Sequence, residues 1–309
     1  MKRLHTMVNV SLMAGLMMLA SCEKENSTDG KGVLPGAFSV SATHQVHFSQ
    51  GNLQYRASTN TWRFAEHQYD CVGSQTCEIF GSYGGNVSGS DNLYISSTYD
   101  GWIDLFGWGT SGWNSGAVCY QPWSTSITES DYYPGGSFTN GLTGAYVEAD
   151  WAWHNAISNG GKAHQWRTLT KSEWFYLLER RTNAFSKRRI GNINGVGGLI
   201  ILPDSWTQPS GCPQFNQDSI NYTLEQWAQM EAAGAVFLPA AGVRCFNASV
   251  GGLTIKAVAH VGIYGWYWSS TPDDEFNAYC IYFRVDNDDY NPLEGFGRDH
   301  GYSVRPVRD

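Results

Sequence analysis

The sequence is poor in charged residues, and basic residues are especially scarce. It contains 20 Lys and Arg against 28 Asp and Glu, which gives a formal net charge of −8. A surface that binds nucleic acid needs clustered Lys and Arg to neutralise phosphates, so this balance argues against nucleic acid as a partner. The one basic run, residues 187–189 with Arg180 and Arg181 before it, is typical of a solvated helix end and loop. There is also no internal repeat.

Several signatures of metal and enzyme chemistry are missing as well. The seven cysteines include no C-x2-C pair, so zinc-ribbon spacing is absent. The sequence has no G-x-S-x-G turn, and the glycines at 191–198 lead into a predicted strand rather than a helix, which excludes a dinucleotide fingerprint. The histidines at 154, 164, 260 and 300 are scattered. These absences favour a binding protein over an enzyme and predict no cofactor.

The first residues predict an exported protein. Lys2 and Arg3 precede an apolar stretch over residues 7–20 that is too short for a permanent membrane span. It ends in LASC, residues 19–22, which resembles a bacterial lipobox. The resemblance implies cleavage before Cys22 and acylation of the Cys22 thiol; a plain signal peptide is the alternative.

The sequence thus divides into three parts. We expect residues 1–21 to be a lipoprotein signal peptide, residues 22–36 a flexible polar tether and residues 37–309 a single domain. The protein would be lipid-anchored at the outer membrane or cell surface. In an exported protein some disulfide bonding is expected, and Cys71 with Cys77 would close the shortest loop. The sequence does not fix the connectivity.

Aromatic residues and glycine are abundant in the mature domain. This composition favours a loop-rich α+β fold in which aromatic side chains pin irregular segments such as residues 80–145. Helical spacing and capping boxes predict helices over residues 150–158, 170–181 and 223–233.

Alternation of apolar and polar residues predicts the strands. Residues 37–55 alternate and could form a hairpin that turns at residues 50–52. Other predicted strands span residues 196–203, 235–239, 253–264, 265–270, 279–285 and 302–307. The first and last strands could pair with each other.

A series of stretches along the domain resembles a known family. In order they are WRFAEHQYD (62–70), GWIDLFGWGTSGWNSGA (101–117), YQPWSTS (120–126), DYYPGG (131–136), ADWAWHNAISNGG (149–161), WRTLTKSEW (166–174), ILPDSW (201–206), GAVFLPAAGVR (234–244), GWYWSS (265–270) and GYSVRPVR (301–308). They look like bacterial lipoproteins of the major-paralogous-domain (FISUMP) type, which are similar to the formylglycine-generating-enzyme branch of the C-type-lectin fold. The resemblance implies a C-type-lectin-like domain and a surface location, but no defined chemistry.

The C-terminal part also resembles the variable proteins of diversity-generating retroelements. In that group a WSS-type strand opens a rewritten segment and a G-x-SVRPV-type strand closes it. Both ends are present here, at residues 267–270 and 301–307, so residues 271–302 are a candidate variable region. Codons that end in a pyrimidine never encode Lys, Gln, Met, Trp or Glu. Residues 273–302 contain no Lys, Gln, Met or Trp, but Glu275 and Glu294 depart from the pattern and would have to be fixed.

This segment supplies the candidate ligand-binding residues. Aromatic side chains offer contact area at low entropic cost, and polar ones offer directional hydrogen bonds. Alternation predicts that Cys280, Tyr282 and Arg284 face outward, while residues 279, 281 and 283 face inward. The candidates are Asp273, Asp274, Phe276, Asn277, Cys280, Tyr282, Arg284, Asp286, Asp288, Tyr290, Phe296, Asp299, His300 and Tyr302. The alternative is a fixed loop held by its own Asp and Asn turns.

Calcium and oxidase chemistry find weaker support. The acidic run at residues 286–289 supplies carboxylates but lacks the Gly and distal Glu of an EF-hand loop. The Glu-Pro-Asn and Trp-Asn-Asp signatures of sugar-binding C-type lectins are absent. Formylglycine-generating enzymes use a cysteine pair, whereas only Cys280 stands in the corresponding region.

The expected partner is a protein or glycan on another cell, phage or host; the alternative is a fixed-sequence adhesion or pilus-associated protein.

Overall fold

The computed structural model describes residues 31–72, 92–215, 220–250, 253–287 and 289–309, and Cys22 and Cys77 lie outside these ranges. Within them the chain is a mixed α+β fold made mostly of strands. The strands are β1 (Phe38–Ser39), β2 (Gln45–Phe48), β3 (Leu53–Arg56), β4 (Thr61–Phe64), β5 (Arg188–Ile193), β6 (Val196–Ile201), β7 (Ile220–Tyr222), β8 (Val236–Pro239), β9 (Val243–Val250), β10 (Leu253–Ala259), β11 (Tyr264–Pro272), β12 (Asn277–Arg284), β13 (Asp289–Gly297) and β14 (Val307–Arg308).

In the described ranges the α-helices are few and short. They are α1 (Trp151–His154), α2 (Lys171–Phe175), which continues into a π-helical turn over Tyr176–Arg180, and α3 (Leu224–Ala232). The predicted capping boxes are present at both Thr170 and Thr223, so these two helices are confirmed. The first predicted helix is shorter than expected, because after its Asp150 cap the chain leaves helical geometry at Asn155.

The two ends of the domain meet in one sheet. β14 pairs with β2, with Val307 opposite Phe48, and β1 lies on the other side of β2. This confirms the predicted pairing of the terminal strands.

The predicted hairpin over residues 37–55 is wrong. β2 does not pair with β3, which instead pairs with β4. The physical reason lies in Asn52, which is fully buried and donates a hydrogen bond to the Tyr267 hydroxyl at 3.0 Å. Residues 50–52 therefore lead the chain through the interior rather than turning it back at the surface.

A three-stranded sheet of β11, β12 and β13 lies between two parts of the hydrophobic core. Trp268 and Cys280 belong to one cluster, and Tyr267, Ile281 and Phe283 belong to the other. The remaining strands form a four-stranded sheet in the order β7-β5-β6-β8 and the pairs β3-β4 and β9-β10. Aromatic clusters fill the space between these small sheets.

The segment that follows β12 is more regular than its composition predicts. Instead of an irregular stretch before the final strand, residues 289–297 form β13, which pairs antiparallel with β12. Its Pro292 lacks an N–H, which an edge strand tolerates. The register shifts between Cys280 and Tyr282, so one local irregularity interrupts an otherwise continuous pairing.

In the part of the chain that the structure describes, no helix is both long and apolar enough to cross a bilayer. The apolar stretch over residues 7–20 lies outside that part.

Candidate ligand-binding site

The outer part of the three-stranded sheet forms an open cleft, which we call the sheet cleft. Its volume is about 570 Å³. The lining residues are His260, Tyr264, Trp266, Tyr282, Asp289, Tyr290, Asn291, Glu294 and Phe296.

Strand geometry brings the aromatic side chains of the cleft together. Tyr264 and Trp266 are two residues apart on β11, so they share a face, and their rings stack at 5.1 Å with an interplanar angle of 10°. Tyr282 lies opposite Trp266 in the register, with ring centroids 5.6 Å apart. Phe296 meets Trp266 edge-on at 5.9 Å and 85°. The result is an aromatic wall with two ring orientations, which suits a ligand with an apolar face.

Charged groups stand at the rim of the sheet cleft. Asp289 is exposed and Glu294 is half-buried. Arg284 is engaged by Asp286, with its Nη2 donating to Oδ2 at 2.7 Å, and this ion pair lowers the pKa of Asp286. Burial, and then the nearby Arg284, lowers the pKa of His260, so the imidazole is neutral at pH 7. The rim is therefore acidic on balance.

Three of the candidate residues, Asp273, Asp274 and Phe276, lie exposed in the turn between β11 and β12. A fourth, Asn277, is half-buried and begins β12. The Asp274 Oδ1 accepts hydrogen bonds from the backbone N–H groups of Phe276 at 2.9 Å and Asn277 at 2.8 Å. Burial opposes the ionised form of Asp274, but these hydrogen bonds outweigh it and lower the pKa. Asp274 thus holds the turn, whereas Phe276 is free to contact a partner.

The predicted exposure of Cys280, Asp299 and Tyr302 is wrong. They are only 1%, 6% and 2% exposed. Cys280 lies opposite Trp268 in the middle of the sheet, where core residues cover both faces. Tyr302 packs against Trp268 at 4.5 Å and stacks on Trp266 at 5.6 Å. Cys280 is therefore not a displayed thiol, and burial raises its pKa.

Tyr279 also departs from the predicted alternation. Ile281 and Phe283 face the core as expected, but Tyr279 is half-buried and its ring lies 3.4 Å from Lys171 Nζ. The Lys171 side chain, rather than the core, covers this ring because α2, which begins at Lys171, packs against β12.

Tyr290 lines the sheet cleft but is held from the other side. Its hydroxyl donates to Glu179, and Arg188 donates to the same hydroxyl. The Arg188 guanidinium lies 3.7 Å from the centre of the ring. Tyr290 therefore has a partly structural role.

Arg298 was not among the candidates, yet it anchors the region. It is fully buried, and its guanidinium donates to the carbonyl oxygens of Asn277 at 3.1 Å, Phe138 at 2.7 Å and Asp274 at 2.9 Å. His300, next to it, is half-buried and stacks on Tyr302 at 5.9 Å. Residues 298–302 thus fix the floor beneath the turn and the cleft.

The acidic run after β12 does not assemble a cation site among the described residues. Asp286 is occupied by Arg284, and Asp288 lies outside the described residues. In the described ranges no group of three or more His, Cys, Asp or Glu is placed to hold a metal ion. Cys119, Cys212 and Cys280 are buried thiols, and the predicted Cys71–Cys77 pairing falls on an undescribed residue.

Sequence reasoning missed six of the nine residues that line the sheet cleft. The missed residues are His260, Tyr264, Trp266, Asp289, Asn291 and Glu294. The alternation of Tyr264, Trp266 and Trp268 was a usable signal, since a period of two places all three on one face of a strand. The positions of Asn291 and Glu294 depend on the β13 register, which no local pattern indicates.

Comparison of the chain with known protein families, with curated proteins and with solved structures finds no match.

Proposed function

We propose that the chain is a lipid-anchored surface protein that binds a ligand through a diversified C-terminal segment on a C-type-lectin-like scaffold. The lipobox-like sequence at Cys22 supports the anchor, and the ordered series of motifs supports the scaffold. Binding rather than catalysis is favoured because Cys280 has no partner cysteine in the sequence around it and is itself buried.

The sheet cleft is the observation that carries this proposal. Its aromatic wall combines Tyr264 and Trp266, which precede the candidate variable region, with Tyr282 and Phe296, which lie inside it. Tyr264 and Trp266 would then be constant and keep the cleft in place, while residues such as Tyr282 and Phe296 could differ between variants and change which ligand binds. Phe276, which is exposed in the β11–β12 turn and does not line the cleft, is a further candidate contact.

The buried residues of the segment refine the proposal. Cys280, Arg298 and Tyr302 are part of the packed interior, so their identities would be restricted even in a diversified protein. The two glutamates that depart from the codon pattern have structural contacts. The backbone carbonyl of Glu275 accepts from the Tyr133 hydroxyl, and the Glu294 carboxylate accepts from the Asn291 amide, so only the Glu294 contact depends on the glutamate side chain.

Sequencing the DNA around the gene tests this proposal. We expect an imperfect repeat of the codons for residues 268–305 beside a reverse transcriptase gene. The two copies should differ at template adenines in codons such as those of Asp273, Tyr282 and Phe296. Absence of both the repeat and the reverse transcriptase would overturn the diversified reading and leave a fixed-sequence lectin-like adhesion protein.

A binding experiment tests the location of the surface. Intact bacterial cells displaying the full chain would be scored for adhesion to arrayed proteins and glycans. Tyr282→Ala and Phe296→Ala should lose any adhesion that the unchanged protein shows. Tyr279→Ala is the matched control, because Tyr279 is equally half-buried but lies on the opposite face of β12. Loss of adhesion in Tyr279→Ala alone would place the ligand elsewhere.

A further inference from the structure

A second cleft lies outside the three-stranded sheet, and it shares no lining residue with the sheet cleft. We call it the loop cleft, because the loop that contains residues 111–123 closes it over β3 and β4. Its volume is about 310 Å³, which is at the small end of the range for ligand pockets. The cleft therefore has room for one or two small rings.

Aromatic rings form the apolar side of the loop cleft. Trp123 is half-buried and stacks against Tyr55, with ring centroids 6.0 Å apart and an interplanar angle of 23°. Tyr55 in turn packs on Trp62 at 4.6 Å. The rings of Tyr55 and Trp62 are almost fully buried and hold the Trp123 indole in place. A ligand that packs on this indole therefore loses little binding free energy to ordering the Trp123 side chain.

Amide groups form the polar side, and each has unused hydrogen-bonding capacity. Asn60 accepts from the Tyr55 hydroxyl at 3.1 Å through Oδ1, which leaves its amide N–H₂ as a donor. Asn155 donates through Nδ2 to the carbonyls of Ser111 and Trp151, which leaves its Oδ1 as an acceptor. The Gln121 side chain makes no hydrogen bond to the described residues, so it offers both.

Charge is nearly absent from the loop cleft. Of the described residues that line it, none is Asp, Glu, Lys or Arg. His154 is the titratable imidazole there, and its Nδ1 is held by the Glu148 carboxylate at 2.7 Å. A charged ligand would lose hydration without gaining an ion pair, so the cleft favours a neutral one.

We propose that the loop cleft binds a neutral saccharide. A sugar ring has an apolar C–H face that packs on a flat aromatic ring, and each of its hydroxyls both donates and accepts. The alternating free donor of Asn60, free acceptor of Asn155 and dual capacity of Gln121 match such hydroxyls. This inference does not depend on the proposed function of the sheet cleft.

A neighbouring cavity of about 360 Å³ shares Asn60 and Trp62 with the loop cleft. Lys31 and Lys162 also line this second cavity, so the charge-free lining belongs to the loop cleft alone. Two adjoining cavities suit a chain of sugars better than a single ring. We therefore expect trisaccharides to bind more tightly than the monosaccharides from which they are built.

The test uses the full chain in detergent and a printed array of neutral mono-, di- and trisaccharides, with nucleosides and acidic sugars as comparison ligands. The strongest neutral saccharide is then titrated by calorimetry. Trp123→Ala and Asn60→Gly should each weaken binding by about 3- to 10-fold. Asn60 has a φ of 47°, which glycine adopts without strain, so this variant removes the amide and keeps the turn.

Three controls make the result specific. Trp123→Phe keeps a flat ring and should retain most of the affinity even if Trp123→Ala folds poorly. Trp206→Ala removes an equally half-buried indole that packs on a different core cluster, and it should bind like the unchanged protein. Tyr282→Ala, in the sheet cleft, should also leave saccharide binding unchanged.

The proposal is overturned if no neutral saccharide binds, or if nucleosides or acidic sugars bind instead. It is also overturned if a bound saccharide is unaffected by both Trp123→Ala and Asn60→Gly. Loss of saccharide binding in Tyr282→Ala but not in these variants would assign the sugar to the sheet cleft.

Discussion

The candidate variable region consists of two parts that are packed very differently. In the outer part, residues 273–297, the described side chains are exposed or half-buried apart from four buried positions of β12 at residues 278, 280, 281 and 283. In the inner part, residues 298–302, Arg298, Asp299 and Tyr302 are buried, and only His300 is half-buried. Both parts are rich in the same residue types, so composition alone does not distinguish a contact surface from the floor that supports it.

The difference between the two parts follows from their surroundings. The outer part forms β12, the edge strand β13 and the turns beside them, where one side meets solvent. The inner part runs back beneath the sheet, where Gly301 exchanges two backbone hydrogen bonds with the fully buried Arg244. Substitutions on the two sides of this boundary should therefore change stability by very different amounts.

The largest effect is expected at Tyr302. Tyr302→Ala removes a fully buried ring that packs against Trp266 and Trp268, which should lower the free energy of unfolding by about 3–5 kcal/mol. Urea denaturation of the purified chain measures it. Tyr282→Ala, in the outer part, should cost only about 1 kcal/mol because its ring is half-exposed. Equal losses of stability in Tyr302→Ala and Tyr282→Ala would contradict the proposed boundary between the inner and outer parts.

The second effect is a pH dependence of the free energy of unfolding, which arises from the buried carboxyl group of Asp104. Burial raises the pKa of Asp104 to about 7, and its partners Val72 N–H and Asn92, with nearby Arg244, only partly offset this. The folded protein then holds a proton that the unfolded chain releases near pH 4, so stability is lost as pH rises from about 4 to about 7. The slope contributed by this one group cannot exceed about 1.4 kcal/mol per pH unit.

Urea denaturation at pH 5, 6, 7 and 8 checks this dependence. Asp150, also buried with a raised pKa, acts in the same direction, so the informative quantity is the change of slope in Asp104→Asn. That variant cannot ionise and should show a flatter profile between pH 5 and 7. An unchanged slope would mean that Asp104 is ionised in the folded protein.

A smaller effect is expected for Tyr290→Phe. This change keeps the ring beneath Arg188 but removes the hydroxyl that joins Glu179 and Arg188. The loss of stability should be about 1 kcal/mol, measured as a shift in thermal unfolding. No loss at all would show that Tyr290 belongs wholly to the exposed surface.

The smallest effect is expected at the exposed turn. Phe276 is 53% exposed, so Phe276→Ser should change stability by less than about 0.5 kcal/mol. Asp274→Ala in the same turn is the matched comparison, since it removes the acceptor of two backbone N–H groups and should cost more. The reverse order would mean that Phe276 packs against the scaffold.

Local features of the sequence predicted local structure well. The Thr170–Glu173 and Thr223–Gln226 capping boxes are short-range devices, and both are formed. The pairing of the terminal strands was also anticipated. The mixed α+β class follows from these elements.

Features set by distant contacts could not be predicted in the same way. Whether Cys280 faces solvent depends on Trp268 across the strand pair and on Tyr302 from the following segment. The cleft positions of Asn291 and Glu294 depend on a register shift in β13. Polar and aromatic composition indicated a contact surface, but only the packing of neighbouring strands decides which of its side chains are available.

One experiment tests the central claim most directly: saturation mutagenesis of residues 271–302 in the displayed chain, with protease resistance as the measure of folding. We predict that Asp273, Phe276, Asp289 and the other exposed outer positions, apart from Asp274, which holds its turn, accept nearly all substitutions. Arg298 and Tyr302, together with buried residues of β12 such as Cys280, should accept very few. Uniform tolerance across residues 271–302, or unfolding caused by substitutions at the exposed outer positions, would contradict the division between a replaceable surface and a fixed floor.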